Sequence, residues 1–378
     1  MASRSWNDLP PELIVSVLPR LPWMSRLRAA ATCSAWELAH TTLPRPTYSQ
    51  AGLVLATPPS PALAQAAHTF PMGVVWSPCG EFVASTFVNY DIVCVWRATT
   101  GELMWEIYPE YPLKLAFVRD DALMVACATC VDDDPSESEF VLFRVSTGEV
   151  MSRHKLEETI YECCLGNGGK TAYVRMPYEP SSGIYICTHE GVVERNVLLP
   201  SSDNNQDEIT VFNMLMSPNE QTLLTVSDIC EAGTMHFLIA WDVQTGRRLR
   251  RWRVGCWNNS SSIPLAWAPS GGRFAAACPV RPTTVTIYDL MSHSSRRIEL
   301  FPKTNHVTNL FWTTSRLVIA RKDGSVQLWD VAPPGSNGDV QRRVIAPAPA
   351  RKVAAVSPDG RAMVVVIDDN DMRVESLV

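Results

Sequence analysis

A run of glycines before a lysine and a threonine is the first feature of this sequence that could carry chemistry. Residues 166–171 read Gly-Asn-Gly-Gly-Lys-Thr, the form taken by the end of a phosphate-binding loop. The complete motif needs a glycine at position 164, where this chain has Cys164, and a helix after Thr171. Residues 172–175 have the composition of a strand instead. A hairpin turn is therefore the favoured interpretation, and nucleotide binding is not expected.

The cysteines could bind a metal or form disulfides, but their spacing favours neither. Eleven are scattered without regular spacing, and the C-x-x-C pair Cys127 and Cys130 has no second pair at zinc-site spacing. Residues three apart in a strand point to opposite faces, so these thiols could not share a metal. The adjacent Cys163 and Cys164 face opposite ways by the same argument. Without a secretory signal, we expect reduced, buried cysteines in a cytoplasmic or nuclear protein.

Acidic clusters and histidines are the remaining candidates for a metal or catalytic site. The acidic residues within 132–134 and 368–371 lack the twelve-residue calcium-loop spacing with its terminal glutamate, so solvated loops are the expectation. Seven histidines are dispersed, and neither a Gly-x-Ser-x-Gly nor a His-Glu-x-x-His motif is present. We therefore expect no catalytic residues, metal or cofactor, and a protein that is not an enzyme.

Composition is typical of a globular protein with more than one domain. The 378 residues could form two or three domains, and 46% hydrophobic residues can fill a large core. With 33 Lys and Arg against 39 Asp and Glu, the net charge of −6 disfavours a general nucleic-acid binder. No run of about 18 apolar residues occurs, so no membrane span is expected.

The first forty residues hold the most ordered pattern in the chain. Asp8 suits a helix N-cap, Pro10 suits the first turn, and Pro22 ends the helix. Ser25 and Ser34 could cap a second and a third short helix. The apolar stripe of the first helix is Leu13, Ile14, Val17, Leu18 and Leu21. Three helices in under forty residues cannot enclose a core, so their leftover apolar surface is a predicted interface.

This segment, residues 5–43, resembles the F-box in the order and spacing of its residues. The resemblance implies a small helical unit that binds the Skp-type adaptor of a cullin-RING ubiquitin ligase. The residues that carry it, and that it assigns to adaptor binding, are Leu9, Pro10, Leu13, Ile14, Leu18, Leu21, Pro22, Leu27, Cys33 and Trp36. The alternative is an ordinary helical hairpin that packs on the chain's own domain.

After a proline-rich linker, one pattern recurs every 42 to 51 residues. An apolar alternating segment meets a tight turn, and a second apolar segment, a variable loop and a third strand that often ends in an aromatic residue follow. The tight turns begin at Ser77, Arg119, Gly166, Ser217, Ala268, Thr313 and Ser357. Alternation with period two, broken by Pro, Gly, Asn and Asp, predicts antiparallel strands.

These units resemble the WD-repeat family over about residues 50 to 378. The Trp-Asp pairs of that family, complete or degenerate, end four of the third strands. They are Trp241–Asp242, Trp329–Asp330, Trp96–Arg97 and Tyr288–Asp289. The resemblance implies four-stranded propeller blades. The expected fold is mainly β: a seven-bladed WD-repeat-like β-propeller preceded by a small three-helix F-box.

The domain boundaries follow from the same repeat. We predict an F-box over 5–43, a linker over 44–69 and a propeller of about seven blades over 70–378. The last unit supplies only three strands, and an open sheet edge invites aggregation. We predict that a short apolar strand near 51–56 supplies the missing outer strand and closes the ring.

Loops on one face of this propeller are the expected substrate site, because rigid scaffolds commonly carry recognition on their loops. The predicted aromatic anchors are Tyr90, Tyr178 and Trp257, and the predicted basic residues are Arg281, Lys303, Arg321 and Lys322. A protein substrate with an acidic or phosphorylated group could pair with this basic side. The alternative is that these are solvated loop charges.

The sequence favours the substrate-recognition subunit of an SCF-type cullin-RING E3 ubiquitin ligase. The F-box would bind the Skp-type adaptor, and through it the cullin and RING subunits, while the propeller binds a protein substrate. Such a chain needs no nucleophile, because it acts by holding its target near a ubiquitin-charged enzyme. The alternative is a propeller scaffold in a complex unrelated to ubiquitin. A propeller enzyme is a third class, which the lack of a nucleophile–base set disfavours.

Overall fold

The computed structural model describes the propeller part of the chain. The described residues are 53–55, 71, 73–87, 92–109, 112–119, 121–131, 134–156, 160–166, 168, 170–175, 183–188, 193–197, 209–229, 235–256, 263–278, 283–300, 306–314, 316–332, 342–345, 351–367 and 371–377. The predicted F-box, residues 5–43, lies outside them. Every helix or strand element within them is a strand. These ranges contain no helix long and apolar enough to cross a membrane.

The strands form seven antiparallel sheets of four, which are the blades of a propeller. Blade one contains β2 (Gly73–Trp76), β3 (Phe82–Phe87), β4 (Ile92–Arg97) and β5 (Leu103–Ile107). Blade two contains β6 (Pro112–Arg119), β7 (Ala122–Val131), β8 (Asp134–Arg144) and β9 (Val150–Leu156). Blade three contains β10 (Ile160–Leu165), β11 (Lys170–Arg175), β12 (Ile184–Thr188) and β13 (Val193–Val197).

The remaining blades repeat this order from the inner to the outer strand. Blade four contains β14 (Ile209–Met216), β15 (Thr222–Ile229), β16 (Met235–Asp242) and β17 (Arg248–Cys256). Blade five contains β18 (Leu265–Trp267), β19 (Arg273–Ala277), β20 (Thr284–Asp289) and β21 (Ser295–Glu299). Blade six contains β22 (Val307–Trp312), β23 (Arg316–Arg321), β24 (Val326–Asp330) and β25 (Arg342–Ile345). Blade seven contains β26 (Arg351–Val356), β27 (Ala362–Ile367), β28 (Asp371–Ser376) and β1 (Leu53–Val54). The predicted mainly-β, seven-bladed propeller is confirmed.

Apolar side chains pack between neighbouring blades rather than in one central core. Seven clusters of buried apolar side chains lie between neighbouring blades among the described residues. Each blade packs one face against the preceding blade and the other face against the following blade. Cys163 packs between blades two and three, whereas Cys164 packs between blades three and four, as residues adjacent in a strand must. Burial raises the pKa of Cys164 to about 12, so its thiol stays protonated and inert.

Local hydrogen bonds in the turns explain why the repeat is readable in the sequence. The Ser77 hydroxyl accepts a hydrogen bond from the Phe82 amide at 2.9 Å, and Gly80 takes a φ of 76°. In blade seven, the Ser357 hydroxyl accepts the equivalent hydrogen bond from the Ala362 amide, also at 2.9 Å. Gly166 belongs to an equivalent turn, because its amide donates to the Lys170 carbonyl at 2.8 Å, where β11 begins. The predicted hairpin turn is thus confirmed for the glycine run.

The ring closes where a strand from early in the chain joins the last blade. Leu53 pairs with Val374 in an antiparallel register, and the Leu55 amide donates to the Met372 carbonyl at 2.9 Å. Leu55 is only 3% exposed and packs in the cluster between blades seven and one. Gly101, with a φ of 70°, lies so close to the Val54 carbonyl that a Cβ would not fit there. Residues far apart in sequence therefore complete blade seven.

Removing the buried side chain of this closing segment should destabilise the whole ring. We expect Leu55→Ala to lower the free energy of unfolding by about 2–5 kcal/mol, because it leaves a cavity between blades seven and one. Val54→Ala is the matched control, since Val54 is 49% exposed. Chemical denaturation of the two variants measures the difference. Equal losses at both positions would contradict the role assigned to Leu55.

Candidate anion-binding site between blades four and five

Most residues predicted to bind partners lie outside the described part of the chain. This holds for all ten adaptor-binding residues of segment 5–43. It also holds for five residues of the predicted substrate face, which are Tyr90, Tyr178, Trp257, Arg281 and Lys303. The structure describes the other two, Arg321 and Lys322, and these differ in solvent exposure: Arg321 is buried and Lys322 is exposed.

Arg321 was expected on an exposed loop, and that expectation is wrong. Strand β23 continues through Arg321, whose exposed fraction is 2%, whereas Lys322 begins the turn and is exposed. In this turn, partial burial acts to raise the pKa of Asp323, but hydrogen bonds from Ser325 and the charge of Arg321 together lower it. Arg321 therefore belongs to the packed end of the blade, and a substitution there perturbs folding.

A cavity of about 200 Å³ lies between the outer halves of blades four and five. It is lined by Arg253, Val254, Ala276, Ala277, Cys278, Thr284, Thr286, Tyr288 and Arg297. This volume is large enough to admit a compact charged group together with water. Strands β17, β19, β20 and β21 build its walls.

The alternation of β20 places the hydroxyl groups on this side of the blade. All six residues of the strand are buried, because neighbouring blades cover both faces. Val285 and Ile287 pack toward blade six, while Tyr288 packs toward blade four. Thr284 and Thr286 share the face of Tyr288, since residues two apart in a strand point the same way. Three hydroxyl groups thus line one wall.

An aromatic cluster packs against Tyr288, the one aromatic ring among the described residues that line the cavity. The rings of Phe274 and Tyr288 stack with centroids 4.8 Å apart, and Trp252 lies 5.3 Å from each ring. Trp267 contacts Phe274 at 5.4 Å, and its Nε1 donates to the Leu215 carbonyl of blade four at 3.1 Å. Packed rings hold Tyr288 in place, so the polar wall is preorganised.

Arg297 supplies positive charge to the same wall. In the β20–β21 register it lies opposite Thr286, and directly opposed residues share a face of the sheet. Burial raises the pKa of Tyr288 overall, although a hydrogen bond from Thr286 and the charge of Arg297 act to lower it. The Tyr288 phenol is therefore protonated at neutral pH and can donate a hydrogen bond. Among the described residues, Arg297 makes no ion pair within 4 Å.

A bulge in β17 shapes the opposite wall. His236 pairs with Gly255 and Phe237 pairs with Arg253, so Val254 is the additional residue. Bulges redirect the side chains around them, which explains how two adjacent residues, Arg253 and Val254, both line the cavity. Val254 also packs with the apolar cluster between the blades.

The outer strands of blades four and five carry six arginines, which we name the basic rim. Arg250, Arg253 and Arg297 lie at the boundary between these two blades, whereas Arg251 faces blade three and Arg296 faces blade six. Its members are Arg248, Arg250, Arg251 and Arg253 on β17, and Arg296 and Arg297 on β21. Arg251 lies over the Phe237 ring at 3.6 Å, and the Arg250 guanidinium donates to the His293 carbonyl of blade five at 3.2 Å. These contacts hold two long side chains in defined positions.

The basic rim was not predicted from the sequence, because binding residues were expected in loops and the rim lies on strands. Five of residues 247–253 are arginine, and this density was the available signal. Two of the predicted substrate-binding residues, Trp257 and Arg281, are close in sequence to the cavity: Trp257 follows the last residue of β17, and Arg281 lies between Cys278 and Thr284. Sequence proximity alone connects them with this site.

The turn between β20 and β21 sets the position of Arg297. The Asp289 carboxylate accepts hydrogen bonds from the Met291 and Ser292 amides at 3.0 and 2.7 Å. His293 takes a φ of 57° where blade four uses Gly246. Partial burial acts to raise the pKa of Asp289, but the hydrogen bonds from Ser292 and Met291 outweigh it and lower the pKa.

Comparisons with known proteins identify the fold. No family model and no curated protein matches the sequence. Among solved structures, a chain of the mitotic checkpoint complex is similar with a TM-score of 0.61 and 14% identity, over 89% of this chain and 98% of that one. The Cps50 (Swd1) propeller domain of Myceliophteria thermophila has a TM-score of 0.58 and 13% identity, over 86% and 100%. The Dos1 propeller has a TM-score of 0.55 and 14% identity, over 82% and 78%.

These similarities define the class of the fold. The chain contains a WD-repeat-like seven-bladed β-propeller. At 13–14% identity the likeness establishes architecture, and function has to be argued from the site.

The Asp289 turn predicts a defined pH dependence of stability. Because the folded state lowers the pKa of Asp289, its contribution is fully present above the unfolded value of about 4 and is lost as pH falls through the folded pKa. We expect Asp289→Asn to be less stable than the parent by about 1 kcal/mol at pH 6, with the difference shrinking at an acidic pH that protonates the carboxyl group. Denaturation at both pH values measures this difference.

Ser292→Ala is the control for that experiment. It removes one hydroxyl but keeps the carboxylate and the backbone donors, so it should retain part of the pH dependence. A stability difference between parent and Asp289→Asn that stays constant from pH 6 to pH 2 would contradict the assignment.

Proposed function

We propose that this chain is the substrate-recognition subunit of an SCF-type cullin-RING E3 ubiquitin ligase. The residues that resemble an F-box would bind the Skp-type adaptor, and the propeller would bind a protein substrate. The observation that carries the proposal is the closure of the ring by β1, which begins ten residues after the end of the F-box-like segment.

Closure by β1 limits how far the F-box-like segment would lie from the propeller. Residues 44–52 alone separate the F-box-like segment from Leu53, which is hydrogen-bonded into blade seven. Even fully extended, such a connection spans roughly 35 Å. A short connection to a rigid ring holds two binding parts at a limited separation, which raises the effective concentration of one partner near the other.

A propeller suits the second half of this role. Its packed blades are a rigid platform, and among the described residues a polar cavity lies between blades four and five, whose outer strands carry six arginines. The chain itself would need no catalytic group, because ubiquitin transfer depends on positioning of the target. One structure of similar fold is a chain of the mitotic checkpoint complex, a protein assembly, which supports a protein partner.

The proposal includes a reducing compartment, the cytoplasm or the nucleus. Seven described cysteines are free thiols, and Cys94, Cys127 and Cys187 have exposed fractions of 0%. Burial raises the pKa of Cys94, so this thiol resists oxidation and disulfide exchange. Such cysteines fill the space between blades.

Adaptor binding can be tested with paired variants of the full-length chain. We expect Leu9→Ala combined with Pro10→Ala to lose co-purification of the Skp-type adaptor, because both positions belong to the apolar surface implied by the F-box resemblance. Ser16→Ala, outside the apolar stripe predicted from the sequence of this segment, should retain the adaptor. Matching thermal melts of the three proteins would show that the propeller is unaffected.

Two outcomes would decide against the proposal. If the parent chain captures no Skp-type adaptor, or if Leu9→Ala with Pro10→Ala captures it as well as the parent does, the ligase role fails. The chain would then be a propeller scaffold in a different protein complex. Removal of residues 1–43 adds a check, because substrates should remain bound while adaptor subunits are lost.

A further inference from the structure

We propose that the basic rim and the cavity between blades four and five form a docking site for an acidic segment of a partner protein. The proposal rests on the proposed role of the propeller as the protein-binding part, and does not require the F-box. The acidic segment would lie across the outer strands β17 and β21. One of its anionic side chains, a carboxylate or a phosphorylated hydroxyl, would enter the cavity.

Charge is the first argument for this partner. The chain has a net charge of −6, yet strands β17 and β21 together contain six arginines and one carboxylate, Glu299. Arg248, Arg251, Arg253 and Arg297 are exposed. Such concentration of one sign attracts a complementary segment and speeds its association. Arginine also binds carboxylates and phosphates with paired hydrogen bonds, which lysine cannot do.

The cavity is the second argument for this partner, because a polar cavity can bind one anionic side chain specifically, whereas surface charge alone attracts any acidic molecule. Thr284, Thr286 and Tyr288 are 5–9% exposed, and their hydroxyl groups share a wall with Arg297. Hydroxyl donors beside a guanidinium are the groups that bind an oxyanion in proteins. Arginines placed on an edge strand only to prevent aggregation would need no such cavity.

Exposed apolar side chains lie on the same two hairpins. Leu249 at the start of β17 is 51% exposed, and Met291 in the turn before β21 is 84% exposed. The hydrogen bond between Arg250 and the His293 carbonyl connects these hairpins. A partner segment that alternates acidic and apolar residues fits this surface better than a nucleic acid, which offers no apolar side chains to Met291 and Leu249.

The test uses three fluorescent probes and the full-length chain. The first probe is a twelve-residue peptide that alternates glutamate with leucine or alanine; the second replaces glutamate with glutamine; the third replaces one central glutamate with phosphoserine. Fluorescence anisotropy at two salt concentrations measures binding. We expect the glutamate peptide to bind, the glutamine peptide to bind at least about tenfold more weakly, and salt to weaken the former.

Two variants and one control separate the contribution of the cavity to peptide binding from that of long-range charge. Arg253→Glu with Arg297→Glu should weaken the glutamate peptide by about tenfold or more. Thr286→Val leaves the net charge unchanged but removes a cavity hydroxyl, and should weaken binding by about three- to tenfold. As the control, Arg144→Glu with Lys352→Glu makes the same charge change at a half-buried position in blade two and an exposed position in blade seven, and should weaken binding less than about threefold.

Several results would overturn the proposal. Binding that falls equally in the Arg253/Arg297 variant and the Arg144/Lys352 variant would reflect overall charge alone. An unchanged affinity of Thr286→Val, with a melt like that of the parent, would exclude the cavity. Tighter binding of a single-stranded DNA 20-mer than of any peptide would indicate a nucleic-acid surface. Tighter binding of the phosphoserine peptide than of the glutamate peptide would support the proposal and identify phosphate as the preferred group.

This experiment can fail independently of the ligase proposal. The rim variants leave segment 5–43 unchanged, so co-purification of the Skp-type adaptor should be the same as for the parent. Loss of peptide binding with adaptor retained, or the reverse, assigns each function to its own part of the chain.

Discussion

The whole structure depends on apolar packing between blades, which no blade can satisfy alone. A four-stranded sheet exposes two faces, and the third strands, such as β4 and β20, are buried on both because a neighbour covers each side. Ring closure is therefore a condition for burying the first and last blades. The pairing of Leu53 with Val374, together with burial of Leu55, meets that condition by joining distant parts of the chain in one sheet. The stability of the packing between all neighbouring blades is therefore coupled to this short strand.

The same packing decides where charge can lie. Inner and middle strands are covered, so an unpaired charge there would lose its hydration at a large cost. An outer strand has one open edge, and its long side chains can extend into solvent while their stems cover apolar surface. Trp252 and Arg251 illustrate this on β17, since Trp252 packs with the cluster between blades four and five and Arg251 covers the Phe237 ring. The basic rim is thus compatible with a packed seam beneath it.

Local chemistry explains which parts of the fold could be predicted from the sequence. The blades were predictable because each repeats its own turn, as the Ser77 and Ser357 hydroxyl bonds show, and because neighbouring strands are close in sequence. The burial of Arg321 was not predictable, since it depends on how far β23 extends before the turn. The cavity was not predictable either, because it arises where the β17 bulge at Val254 meets the Thr286 face of another blade. Contacts between blades leave no short-range pattern.

The positions of the two proposed binding parts are consistent with one mechanism. The F-box-like segment leads into blade seven through β1, and the basic rim lies on blades four and five, three and two places away around the ring. In a ring of seven blades, the boundary between blades four and five is therefore well separated from blade seven, though not directly opposite it. A partner held at the rim would then lie away from the point where β1 joins blade seven. Because the packed blades transmit this geometry rigidly, the propeller itself would set the distance between target and ligase.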